Sequence, residues 1–212
     1  MAEQSPAIQL FANFQNWMKD HVPDVKFRPP VEAAALDHFS EVSEIEIPQT
    51  LRQILSVSDG ETRTSAGAIG NWRMLSVNEI QAAWGLLTKL ADKGAFSDQK
   101  PEAPPYFRPV WWHPGWIPFV SSDQGHYFCI DTAPIEPIRK GQVILFQLNR
   151  PERLLIAGNL QAWFKRILLD LESGVYHYDP ETGFDGEGFM WSALEGKHLF
   201  DIDRGKLIAK KS

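Results

Sequence analysis

Apolar positions recur along this chain with two periods, three-to-four in some stretches and two in others, and turn residues separate them. Ser5-Pro6 reads as a helix start, because proline is pre-shaped for the first turn, and Leu10, Phe11, Phe14, Trp17 and Met18 then make one apolar stripe to about His21. Pro23, Pro29 and Pro30 mark a linker. Helical spacing returns from Val31 to Val42 through Ala35, His38 and Phe39. Ile45-Glu46-Ile47 alternates briefly, and Pro48 opens a third helix with Leu51, Ile54 and Leu55 inward, stopped by Asp59-Gly60.

Residues Ala68 to Leu75 predict a strand. Ser76 and Glu79 behind it have capping-box spacing, and Ile80, Ala83, Trp84, Leu87 and Leu90 continue as a helical stripe. The Pro-rich stretch from Lys93 to Pro109 reads as a loop. Four strands follow, Ile117 to Val120, Tyr127 to Asp131, Gln142 to Leu148 and Leu154 to Ala157, with turns short enough for antiparallel neighbours. Asn159 caps the strongest helix, in which Leu160, Trp163, Phe164, Ile167, Leu168 and Leu171 keep the three-four spacing until Gly174. This helix should lie across the sheet. Beyond Tyr178 the text is turn-rich, with one last alternation from His198 to Ile202 and a basic end.

Composition narrows the class. With 43% hydrophobic and 23% charged residues the chain is neither disordered nor membrane-embedded. A net charge of −6 without a Lys/Arg stripe argues against nucleic acid and allows a basic protein partner. A single cysteine favours a reducing compartment, and the start lacks both the basic and the long apolar segments of a leader, so the cytoplasm is expected and no membrane.

Chemistry-bearing residues concentrate in WWHPGWIPFVSSDQGHYFCIDTAP, residues 111–134. Cys129, His126 and Asp131 invite a nucleophilic triad, but strand alternation places Cys129 and Asp131 on one face and His126 on the other, so the thiol reads as structural. Asp123, His126 and Asp131, even with His113, lack the local spacing of a zinc site. The acidic DPETGFDGEGF tract fails as a calcium loop, since aligning Gly186 with the turn glycine puts Gly183 at a ligand position and Ser192 where the bidentate glutamate belongs. No G-x-S-x-G, P-loop, H-E-x-x-H or dinucleotide motif is present. Neither a metal nor a cofactor is expected, and binding is favoured over catalysis, a hydrolase using His126 with Asp131 or Asp123 being the remote alternative.

The order of short motifs resembles the SMI1/KNR4 family of the SUKH superfamily. The residues that carry this are Ile47-Pro48 with Leu51-Arg52, Asp59-Gly60, Leu75-Ser76 with Glu79-Ile80 and Trp84, then Trp112, Pro114 and Trp116-Ile117-Pro118-Phe119. Gly125, Cys129-Ile130-Asp131, Pro134, Gly141-Gln142-Val143 and Trp163 complete the set. Two stretches depart from it. Ser121 to His126 replaces an acidic, glycine-rich segment, and Gln147-Leu148-Asn149 stands where relatives carry a His-Asp pair.

The resemblance implies an α+β fold, a mostly antiparallel sheet flanked by helices, over about residues 31–178, with an N-terminal helix and linker at 1–30 and an extension at 179–212. It further implies a non-enzymatic protein-binding domain. Many bacterial members of the family look like immunity proteins against toxin domains, and fungal members are tied to cell-wall glucan synthesis and signalling. A bacterial immunity protein that binds a basic toxin domain is the first expectation, and a scaffold or regulator in cell-wall or envelope metabolism the second. Partner contacts are expected at Trp111, Trp112, Trp116, Asp123, His126 and Asp131. Trp116 is expected to pack, and of the adjacent Trp111 and Trp112 at most one should face inward along an extended segment.

Overall fold

The computed structural model describes residues 5–63, 67–69, 72–122 and 124–173. The expected alternation near His198, the acidic tract after Tyr178 and Asp123 lie outside them.

Helix α1 (Pro6–His21) buries Ala7, Phe11, Phe14 and Met18. Ser5 occupies its N-cap position, yet the hydroxyl does not cap. It donates instead to Oε1 of Gln53 at 2.9 Å, tying the start of α1 to helix α3 (Gln49–Leu55). Helix α2 (Ala33–Ser43) starts two residues later than expected and buries Leu36, Phe39 and Ser43, whereas Val42 faces out. Its delayed start has a local cause: the Val31 N–H is held in extended backbone by the Leu55 carbonyl at 3.1 Å. Helix α4 (Val77–Asp92) forms with both halves of the capping box, Ser76 and Glu79, in place. Helix α5 (Leu160–Glu172) is capped by Asn159 Oδ1, which accepts from the Ala162 N–H at 2.8 Å.

Five strands make one antiparallel meander in the order β1-β2-β3-β4-β5. They are β1 (Arg73–Met74), β2 (Trp116–Ser121), β3 (His126–Asp131), β4 (Gln142–Gln147) and β5 (Leu154–Ala157). Strand β1 is much shorter than the predicted Ala68–Leu75. Ile69 and Trp72 pair with each other through reciprocal N–H to carbonyl bonds of 3.2 and 3.1 Å, so their backbone groups are engaged before they can extend the ladder to β2.

Aromatic side chains fill both faces of the sheet. On one face Phe128 and Phe119 meet Trp163 of α5 at 5.7 and 5.1 Å, and Phe164 meets Phe11 and Phe14 of α1 at 5.4 and 5.5 Å. Thus α5 crosses the sheet as its apolar stripe predicts, and α1 packs over α5 within the same core. On the other face Phe146 meets Trp112, and Trp112 meets Trp116 edge-on at 5.8 Å. Edge-to-face pairs of this kind contribute about 0.5–1.5 kcal/mol each beyond area burial.

Candidate functional site

The ladder between β3 and β4 steps residue by residue from His126↔Gln147 to Asp131↔Gln142 without a bulge. His126, Phe128 and Ile130 therefore share one face and Tyr127, Cys129 and Asp131 the other. The thiol and the imidazole are separated by the sheet. Cys129 is fully buried, and burial pushes its thiol well above the ordinary range, only partly offset by Arg153. Native protein is expected to resist disulfide-type thiol reagents and to label stoichiometrically only in denaturant. Rapid labelling of the native state would remove the structural assignment of this cysteine.

Trp116 packs as expected, whereas Trp111 and Trp112, of which at most one was expected to face inward, are both buried. Trp111 and Trp112 are 6% and 4% exposed and Trp116 is 0% exposed, so all three are core residues and none presents its side chain outward. The alternation argument does not apply, because β2 begins only at Trp116 and the preceding segment turns through Pro114 and Gly115. The Trp111 indole donates to the Leu148 carbonyl at 3.2 Å, and the Trp112 indole donates to Thr88 Oγ1 of α4 at 3.1 Å. Gly115 is required at the turn. A Cβ there would stand 2.7 Å from the Cβ of Ala133.

Asp131 is buried at the foot of the β3–β4 hairpin. Its Oδ1 accepts from the Ala133 N–H at 3.1 Å and its Oδ2 from Gln142 Nε2 at 2.9 Å, while its carbonyl accepts from the Gly141 N–H at 2.7 Å. Burial raises its carboxyl above the usual range against these bonds and the nearby His113 and Arg108. His113 accepts from the Gly115 N–H at Nδ1 (2.9 Å), and its pKa is lowered by burial and by Arg108. His126 is half-buried and likewise lowered, by burial and then by Arg150. Among the described residues neither histidine is hydrogen-bonded to a nucleophilic side chain or a carboxylate. Among the described residues no three His, Cys, Asp or Glu side chains converge as metal ligands.

Other motif residues are equally committed to architecture. Asp59 Oδ1 accepts from the Val77 N–H at 2.7 Å, adding a second cap to α4. Gly60 adopts φ +70°, and a Cβ on it would lie 2.5 Å from the Leu75 carbonyl oxygen, so Asp-Gly is needed where the chain brushes the entry to α4. Trp84 donates to the Pro114 carbonyl at 2.7 Å, pinning α4 to the turn before β2. Glu79 completes its capping box while meeting Arg73 at 3.0 Å, Arg63 at 3.4 Å and Arg28 at 3.7 Å. Burial works against its ionisation, but the Ser76 N–H and the Arg73 guanidinium outweigh it and hold the carboxyl below its usual range.

Two residues with central roles carry no motif. Arg153 is fully buried, its guanidinium 4.8 Å from the Trp111 ring centroid and 4.9 Å from that of Phe146. Glu61 is buried beside β1, where Oε1 accepts from the Met74 N–H and Oε2 from the Ala68 N–H, both at 2.8 Å. The sequence around each shows nothing of its partners, which become visible only in the fold.

What faces solvent is different in character. Between β3 and β4 the short helical turn η1 (Pro137–Arg139) carries Ile138 at 92% exposure, with Ile135 at 47% beside it. Arg139 braces the base of this knuckle. Arg139 Nε donates to Glu136 at 2.7 Å, and the same guanidinium lies 4.0 Å over the Tyr106 ring. Asp131 anchors the hairpin from below, so this predicted contact residue supports the exposed surface rather than forming it.

Comparison with known proteins accounts for the motif order. The model of the SMI1 / KNR4 family (SUKH-1) matches residues 30–166, more than half of the chain. The chain is 24% identical over 225 residues to the "Cell wall assembly regulator SMI1" of Saccharomyces cerevisiae, covering 87% of this chain and 44% of the relative. It is 24% identical over 192 residues to the "Cell wall biosynthesis/cell cycle regulator smi1" of Schizosaccharomyces pombe, covering 83% and 38%. It is 23% identical over 205 residues to the "Glucan synthesis regulatory protein" of Neurospora crassa, covering 78% and 38%. This chain spans less than half the length of these curated relatives. The chain belongs to the SMI1/KNR4 family (SUKH-1).

Proposed function

We propose that this chain is a non-enzymatic protein-binding scaffold that serves the regulation of cell-wall or envelope assembly. The observation that carries the binding role is the division of labour in the molecule. Cys129 and Asp131 are buried and engaged in holding the fold, while a turn braced by Arg139 raises Ile138 and Ile135 into solvent. A projecting aliphatic side chain on a fixed support is suited to an apolar pocket on a partner protein, because little freedom is lost on docking. The direction toward cell-wall regulation comes from the names of the relatives. Among the described residues no helix is long and apolar enough to cross a membrane.

An immunity protein against a basic toxin domain is the second reading, favoured only by the net charge of −6. The names of the relatives favour regulation instead. Co-purification from the native cell, followed by mass spectrometry, separates the two by what is captured: wall-assembly proteins or a toxin domain. Ile138→Asp is expected to weaken capture by about tenfold, the ~1–2 kcal/mol of an interface anchor, with an unchanged circular dichroism spectrum. Undiminished capture by this variant would move the contact surface away from the knuckle.

A further inference from the structure

The two edges of the sheet are finished differently. At the β1 edge one residue closes the backbone: Glu61 donates its N–H to the Met74 carbonyl at 3.0 Å and accepts the Met74 N–H at Oε1 at 2.8 Å. At the β5 edge only the approach to the strand is covered. There Glu102 bridges Glu152 in parallel, its N–H donating to the Pro151 carbonyl at 2.7 Å and its carbonyl accepting from the Arg153 N–H at 2.8 Å.

Beyond that bridge the edge is open. Among the described residues nothing outside the ladder to β4 hydrogen-bonds to Leu154, Leu155, Ile156 or Ala157. Backbone groups alternate sides along an extended strand, so with the Arg153 N–H turned toward Glu102 the Leu155 N–H and carbonyl face the same way, away from β4. The strand reads Leu-Leu-Ile-Ala, without the lysine or proline that commonly keeps an edge from pairing, and a register shift against β4 is its one irregularity. Leu154 adds an aliphatic side chain at 36% exposure.

We propose that the β5 edge receives an extended segment of a protein partner, which joins the sheet through main-chain hydrogen bonds at Leu155 and rests an apolar side chain on Leu154. The proposal rests on the protein-binding reading and adds the mode of recognition to it. Outward N–H and carbonyl groups are matched by extended backbone, since a helix has its own main-chain groups already paired. Glu102 shows the same edge engaging an extended residue in this way. A second copy of this chain is the less suited occupant. Strand β5 has four residues, roughly 13 Å at about 3.3 Å each, and two such edges side by side fall well short of the about 1,200 Å² that a stable specific interface buries.

The test is fluorescence anisotropy of the full chain with a labelled, capped peptide of alternating threonine and valine, flanked by one lysine and one glutamate. Its control is N-methylated at two adjacent central residues, which removes a donor from each edge of the peptide. The parent peptide is expected to bind saturably and about tenfold tighter than the control. Leu155→Pro removes the outward N–H while leaving the ladder to β4, and should weaken binding about tenfold, whereas Leu155→Ala keeps that N–H and should stay within about threefold. Leu154→Lys, at an exposed position, should weaken binding about fivefold and serves where circular dichroism shows that the proline variant does not fold. Amide exchange of Leu155 is expected to slow about tenfold at saturating peptide, and that of Met74, whose edge Glu61 closes, to stay unchanged. Absence of saturable binding, equal affinity for both peptides, equal loss in Leu155→Ala and Leu155→Pro, or an unchanged Leu155 amide would each overturn the proposal. So would a dimer in sedimentation velocity that Leu154→Lys dissolves, which would give the edge to a second copy. Leu154→Lys in the co-purification assay separates this from the broader reading: capture equal to wild type with a failed peptide assay removes the edge and leaves the scaffold role standing.

Discussion

Arg153→Met is expected to lower the free energy of unfolding by about 3–5 kcal/mol, more than any conservative change in an α-helix of this protein. The Arg153 guanidinium donates through Nη2 to the Trp111 carbonyl at 2.6 Å and through Nη1 to the carbonyls of Arg150 and Glu152, both at 3.0 Å. It therefore joins two chain segments that no regular ladder connects, the approach to β2 and the turn before β5. A buried ion pair can sometimes be replaced by apolar residues at no net loss, because both charges leave together. Here the acceptors are main-chain carbonyls, which no substitution removes. The Trp111 carbonyl would stay buried and unpaired, and the rings of Trp111 and Phe146 would lose the cation above them.

Burial lowers the Arg153 pKa to about 10, so the guanidinium stays protonated through neutral pH and its donors remain available. Arg153→Lys should recover only part of the loss, since a single ammonium cannot span carbonyls on two segments. Urea unfolding followed by tryptophan fluorescence measures both variants. A midpoint equal to wild type for Arg153→Met, at unchanged slope, would mean that the two segments are held together by something other than this side chain.

Stability is expected to fall as pH rises from about 5 to 8, by up to ~4–5 kcal/mol, through Glu61. Burial pushes its carboxyl up from 4.5 to about 8, against the N–H groups of Met74 and Ala68 and the nearby Arg73. Between those two values the native state keeps a proton that the unfolded chain has released. The unfolded state thus binds fewer protons, and the slope of unfolding free energy with pH is negative in that window and flat on either side. Glu79, whose pKa is lowered, acts in the opposite sense and only as pH falls through the acidic range. His113 and His126, both lowered, cost stability below about their unfolded values near 6.5.

The contribution of Glu61 is isolated by comparing wild type with Glu61→Gln across the window. At pH 5 the variant is expected to be less stable by ~1–3 kcal/mol, because the carboxamide can accept from only one of the two N–H groups and turns a donor toward the other. The gap should narrow or reverse by pH 8.5. A gap independent of pH would show that Glu61 is ionised throughout, with its two backbone donors and Arg73 outweighing burial.

These two residues show why the fold and the candidate surface were unequally readable. The caps of α4 and α5 each close within three residues, Ser76 to Glu79 and Asn159 to Ala162, so residue type and spacing contain the whole interaction. The apolar stripe of α5 and the pleat of β3 are legible for the same reason. Arg153 finds the Trp111 carbonyl 42 positions away and Trp84 finds that of Pro114 at a distance of 30. No local pattern reports such a partner. The adjacent Trp111 and Trp112 compete for the interior only if the backbone is extended there, and the turn before β2 lets both be buried.

The chain by itself determined the helices and the main strands, though not the bounds of α2 and β1, together with the antiparallel order of the main strands, the opposite facing of Cys129 and His126, and the motif order of the family. Each follows from contacts between near neighbours or from the fixed periods of regular backbone. Only tertiary structure decided that the tryptophans of residues 111–116 and Asp131 are buried in the framework, and that Arg153 and Glu61, which stand in no motif, find their partners there. Burial is a property of how distant segments enclose one another, and it is burial that separates a side chain that supports a surface from one that forms it.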